Sequence, residues 1–115
     1  MKTGYLYISS NGTKEDNNAF LLTEIQQLFD LAYKAGITIR QVFIDFNESG
    51  SSTSKPQLTN LMEAMSVYKG RFVLVTNMRH ISRNKELLRT FLACCMVTDT
   101  QIICLSDQGK KKGEK

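Results

Sequence analysis

The side chains that could do chemistry are hydroxyls and cations at the ends of three apolar runs. Ser9 and Ser10 close the first run, GYLYIS. Ser49, Gly50, Ser51 and Ser52 follow the second, with Lys55 shortly after. Arg79, His80 and Arg83 follow the third. A hydroxyl beside several cations suits phosphoryl transfer. The oxygen attacks phosphorus while Lys or Arg neutralises charge building on the non-bridging oxygens. No carboxylate cluster closes the first run, as a metal-dependent phosphoacceptor site needs, so that reading is rejected. Neither G-x-x-x-x-G-K-[ST] nor G-x-G-x-x-G occurs, so no nucleotide-cradling loop has motif support. The residues call for no metal and no cofactor.

Each of these residues also has a plainer role. Serines at strand ends commonly form turns or caps, and a run such as SGSSTS is an ordinary loop. A lone histidine such as His80 is commonly a surface or hydrogen-bonded side chain. The stretch from Arg79 to Arg89 reads equally as the solvated side of a helix start. Cys94, Cys95 and Cys104 lack zinc spacing and fall in apolar surroundings, where packing is their expected role. Three cysteines with an adjacent pair make no disulfide framework, and free thiols fit a reducing cytoplasm.

The elements that must position these loops alternate between strand and helix. GYLYIS (4–9) reads as a buried strand. From Asn18 to Ala35, Leu21, Ile25, Leu28 and Ala32 share one helical face, and Gly36 supplies the stop. ITIRQVFIDF (37–46) is β-branched and aromatic, hence a second strand, and 47–54 is a loop. Ser54 is a candidate N-cap and Pro56 fits the first turn of a helix carrying Leu58, Leu61, Met62 and Met65. RFVLVT (71–76) is a third strand. Asn84 can cap a third helix with an apolar face of Leu87, Leu88, Phe91, Leu92 and Cys95. TQIICLS (100–106) is a fourth strand, and QGKKKGEK a polar tail.

This βαβαβαβ order implies parallel strands joined by helical crossovers. The expected fold is α/β, a three-layer sandwich on a mostly parallel sheet of four to five strands. Sites on such sheets lie past the carboxyl ends of the strands, near the switch point. The loops 9–17, 47–55, 77–84 and 106–109 are therefore the ones that matter.

Composition agrees with one soluble domain. The chain has 115 residues, with 42% hydrophobic and 23% charged. No apolar run reaches the ~20 residues of a membrane span, and residues 1–7 lack a signal-peptide core. The expected location is the cytoplasm. The net charge of +4 is uneven. Residues 1–68 hold 5 Lys/Arg against 7 Asp/Glu, whereas residues 69–115 hold 10 against 4. A basic half suggests a polyanionic partner; a solvated surface with a lysine tail is the plainer reading.

Three stretches resemble the N-terminal catalytic domain of serine recombinases, the resolvase/invertase group. GYLYISS (4–10) is similar to the family opening G-Y-x-R-V-S-T. FIDFNESGSSTSKPQLTNLMEAM (43–65) is similar to the segment running through S-G-x-S into the next helix. FVLVTNMRHISRN (72–84) is similar to V-V-x-x-x-D-R-L-x-R. The likeness covers nearly the whole chain, in order and within the expected elements.

The resemblance implies a metal-free reaction through a phosphoserine–DNA link. It implies Ser9 as nucleophile, Ser49 as the serine of S-G-x-S and Arg83 as the last arginine of the third motif. Lys55 stands where an arginine is usual. Tyr7 stands at an expected arginine two residues before the nucleophile, and Arg79 and His80 replace Asp-Arg. The first loop is longer than the pattern, so the family's glutamine has no assignable position. Lysine is a point charge where arginine grips two phosphate oxygens. The resemblance thus implies an active site altered in its cations, and impaired unless Arg79 compensates.

The expected catalytic set is Ser9, Ser49, Lys55, His80 and Arg83. Arg79, Lys110, Lys111 and Lys112 are expected on DNA phosphates. Residues 1–109 form a resolvase-like catalytic domain and 110–115 a basic polar tail. The implied function is site-specific DNA cleavage and strand transfer, with DNA as partner. Homodimers or tetramers on DNA are implied, while this domain alone could be monomeric. The family's long helix and helix-turn-helix would lie beyond QGKKKGEK. Two alternatives stand beside this reading. One is a non-catalytic relative that binds DNA or regulates an active recombinase; the other is a flavodoxin-like module binding a small ligand or protein.

Overall fold

The computed structural model describes residues 2–11, 18–47, 56–78, 81 and 85–106. The elements run β1 (Lys2–Asn11), α1 (Asn18–Ala35), β2 (Ile37–Asn47), α2 (Pro56–Val67), β3 (Phe72–Val75), α3 (Lys85–Val97) and β4 (Gln101–Cys104). The four strands form one parallel sheet in the order β2-β1-β3-β4. The expected fold class therefore holds, with four strands among the described residues.

Two apolar clusters, one on each face of the sheet, make the three layers. On one face Leu6, Ile8 and Ile37 pack with Leu21, Leu28 and Ala32 of α1. On the other, Tyr5, Tyr7 and Phe43 pack with Leu58, Leu61 and Met65 of α2 and Phe91 and Cys95 of α3. The period of two along β1 sends even residues to α1 and odd residues to α2 and α3. Full burial of each such side chain contributes roughly 1.5–3 kcal/mol.

Along β2 the alternation is broken once, to a purpose. Gly4 pairs with Ile39 and Tyr5 with Gln41, so Arg40 is an extra residue on β2. Before it, Ile37 and Ile39 face α1; after it, Val42, Ile44 and Phe46 do. The extra residue switches parity and thereby turns Phe43 and Asp45 toward α2. Gly4 serves the other side of β1, because a Cβ there would lie 2.6 Å from the Phe72 carbonyl oxygen of β3. Gly36 ends α1 at a φ of 74°.

Several expected boundaries move. β1 extends past Ser9 to Asn11, because Ser9, Ser10 and Asn11 pair with Asp45, Phe46 and Asn47. The two serines expected on a loop thus sit in the sheet. β3 is shorter than 71–76, and β4 is shorter than 100–106, since Leu105 and Ser106 are helical. Leu92, expected on the apolar face of α3, is 36% exposed and borders solvent. Leu87 and Leu88 pack on the cluster as expected, and Cys94 joins them there. The proposed caps Ser54 and Asn84 lie outside the described residues.

Candidate active site

β1 is central, but β3 pairs with it only across Gly4–Leu6, whereas β2 follows it to Asn11. The helices change face between β1 and β3, which makes the carboxyl end of β1 the switch point. Tyr7 and Ser9 lie there on the α2 face, two residues apart along the strand. Ser10 points the other way and is buried. Of the two serines, Ser9 alone shares a face with Tyr7 and Asp45, and it is half-buried rather than closed off.

Asp45 sits opposite Ser9 in the register and is 3% exposed. Its Oδ2 accepts a hydrogen bond from the Tyr7 hydroxyl at 2.8 Å. The same oxygen accepts the Leu58 amide at 3.0 Å, and Oδ1 accepts the Gln57 amide at 2.9 Å. These amides belong to the first turn of α2, whose N–H groups have no partner within the helix. A carboxylate there also meets the positive end of the helix dipole. Pro56 opens α2, where its missing N–H costs nothing. Asp45 therefore caps α2 from the neighbouring strand.

Tyr7 is held firmly in its neutral form. Burial, the Asp45 charge and the hydrogen bond to Asp45 all drive its pKa far above the ordinary phenol value. A side-chain hydrogen bond with Ser9 acts in the opposite sense. Ser9, Tyr7 and Asp45 thus form one chain of hydrogen bonds leading to the start of α2. Ile81 is fully buried in the cluster that contains Tyr7, with its amide on the Met78 carbonyl at 3.1 Å.

Of the expected site residues, Ser9 lies at the carboxyl edge described. Ser49, Lys55, Arg79, His80, Arg83, Lys110, Lys111 and Lys112 lie outside the described residues. Sequence reasoning missed Asp45. The available signal was a single acid inside the apolar run VFIDF, shortly before a helix start. Among the described residues, no group of three His, Cys, Asp or Glu converges as a metal site. Burial pushes the Cys95 thiol up to about 11, helped by Cys94, which suits a packing role. Among the described residues no helix is long and apolar enough to cross a membrane.

A four-stranded parallel sheet with helices on both faces and a serine at its switch-point edge defines a doubly wound α/β domain. The family model described as "Resolvase, N terminal domain" matches residues 3–115, and the chain belongs to this family. Solved structures share the fold. One is the C-terminal catalytic domain of ISC1926 TnpA, an IS607-like serine recombinase. It has a TM-score of 0.77 at 18% identity, over 90% of this chain and 69% of that one. A resolvase family site-specific recombinase from Streptococcus pneumoniae has a TM-score of 0.77 at 23% identity, over 93% and 74%. The N-terminal catalytic domain of TP901-1 integrase has a TM-score of 0.74 at 17% identity, over 92% and 78%. No curated protein matches the sequence significantly.

Proposed function

We propose that this chain is a serine-recombinase catalytic domain that cuts DNA and transfers strands through a phosphoserine intermediate. The observation that carries the reading is the position of Ser9. It lies half-buried at the switch-point edge, on the one face where a hydrogen-bonded chain reaches it. Family membership supports the same reaction class.

In the proposed step the Ser9 Oγ bonds to phosphorus as the bond from phosphorus to one sugar oxygen breaks. That sugar oxygen leaves with the electron pair and gains a proton, which balances the one lost from Ser9. Ser49, Lys55, His80 and Arg83 complete the catalytic set, and Arg79 with Lys110, Lys111 and Lys112 holds flanking phosphates. Cations aimed at the non-bridging oxygens supply the electrostatic stabilisation, each donor contributing on the order of 10²–10³ in rate. The reaction needs no cofactor. Residues 1–109 act as the catalytic unit and 110–115 as a basic tail, working in the cytoplasm as dimers or tetramers on DNA.

The test is incubation with supercoiled DNA carrying a recombination site, followed by denaturation. A covalent protein–DNA species that is absent with Ser9→Ala supports the proposal. DNA binding without any adduct, at high protein concentration, favours the non-catalytic relative instead.

A further inference from the structure

We propose that Tyr7 is a positioning residue for Ser9: its hydroxyl, held by Asp45, accepts a hydrogen bond from the Ser9 hydroxyl and turns the Oγ lone pairs toward the carboxyl edge of the sheet. This rests on the recombinase reading and deepens it. The resemblance places an arginine where Tyr7 stands. Tyr7 is 1% exposed inside the α2–α3 cluster and carries no charge, so it cannot take over a phosphate-gripping role. Its surroundings give it a different one.

The argument is a count of donors and acceptors. A tyrosine hydroxyl has one proton to give and lone pairs to receive. An ionised carboxylate only accepts. Asp45 already receives the Gln57 and Leu58 amides, and it receives the Tyr7 proton at 2.8 Å. With that proton committed, Tyr7 can meet Ser9 only as acceptor, so Ser9 is the donor in the bond between them. A serine has a single proton as well. Once it points back along the strand to Tyr7, the Oγ lone pairs point away from it, where an incoming phosphate would approach.

The parts are rigid. Tyr7, Ser9 and Asp45 lie on two paired strands in adjacent register. The tyrosine ring is packed on all sides, and the carboxylate is fixed by a helix terminus. Groups set on packed strands hold a reacting atom more closely than groups set on loops. Aim matters at this scale, because a misplacement of ~1 Å can cost about 100-fold in rate.

The experiment uses the full chain, with tyrosine labelled with carbon-13 at Cζ, and two readouts. In NMR spectra, Ser9→Ala is expected to shift the Tyr7 Cζ resonance. An unmoved resonance in a folded variant overturns the proposal. In adduct formation on supercoiled DNA, Tyr7→Phe keeps the ring and is expected to slow the reaction roughly 10- to 100-fold. DNA affinity should be unchanged at a temperature where circular dichroism shows the variant folded. An equal rate in Tyr7→Phe and wild type overturns the positioning role while leaving the recombinase reading intact. A wild-type chain that binds DNA and makes no adduct defeats both, and is a distinguishable result.

Discussion

The Tyr7 hydroxyl donates to Asp45 Oδ2 at 2.8 Å across 38 residues of sequence, with both side chains buried. This bond ties the end of β1 to the start of α2, through a carboxylate that also receives two backbone amides. It joins the candidate nucleophile's strand to the helix that follows the S-G-x-S segment. Its strength therefore governs both the stability of the fold and the setting of Ser9.

Removing the carboxylate should be costly. Asp45→Ala leaves the Tyr7 hydroxyl and two first-turn amides without their acceptor, at about 1–3 kcal/mol for each buried donor left unmade. Urea unfolding should show a lower midpoint at an unchanged slope. Asp45→Asn keeps an acceptor oxygen and should lose less. A midpoint within error of wild type in Asp45→Ala would contradict the cap.

Tyr7 should separate packing from hydrogen bonding. Tyr7→Phe removes one donor from a buried carboxylate and should lower stability by about 1–3 kcal/mol. Tyr7→Ala also opens a cavity and should cost roughly 3–5 kcal/mol, as for other large aromatic truncations. Calorimetry or denaturant unfolding ranks the two, and equal losses would contradict the assignment.

Alkaline pH should act through the same hydroxyl. The folded-state pKa of Tyr7 lies above the unfolded value of 10.0. The folded state thus holds the proton more tightly, so this contribution is complete below pH 10 and declines as pH rises beyond it. Phenolate absorbance should show no Tyr7 ionisation until the chain unfolds. Tyr7→Phe should leave the pre-unfolding absorbance change intact and flatten the alkaline loss of stability. A missing pre-unfolding phenolate step in Tyr7→Phe would count against this.

Arg40 should matter as a residue and not as a side chain. Deleting it restores strict alternation across the bulge, so either Ile37 and Ile39 or Val42, Ile44 and Phe46 must face the wrong layer. The deletion should prevent folding or unfold at far lower denaturant. Arg40→Ala should stay within about 0.5 kcal/mol of wild type, as exposed substitutions usually do. Comparable midpoints for the deletion and wild type would show that the parity switch is dispensable.

Much of this fold was legible because helical and strand periods differ. The Leu21–Ala32 stripe, Gly36 and the β-branched runs set the order of elements. What was missed shares one cause: pairing and burial across the sheet leave little local trace. Ser9 and Ser10 look like loop residues until β2 is placed beside them. Asp45 looks like a solvated residue on a half-buried strand, and its value comes from a helix start twelve residues on. Leu92 has the helical phase of its apolar neighbours, but phase alone does not fix how wide the covered stripe is. Ser9 stands out as a candidate because its type, spacing and strand end agree; its link to Tyr7 required the third dimension.

The central claim is that Ser9 bonds covalently to DNA phosphorus. The most direct measurement is peptide mapping by mass spectrometry of the denatured reaction with supercoiled DNA, after nuclease and protease digestion. The account predicts a nucleotide mass on the peptide containing Ser9, lost in Ser9→Ala. A nucleotide on another residue, or none on a chain that binds the DNA, would contradict it.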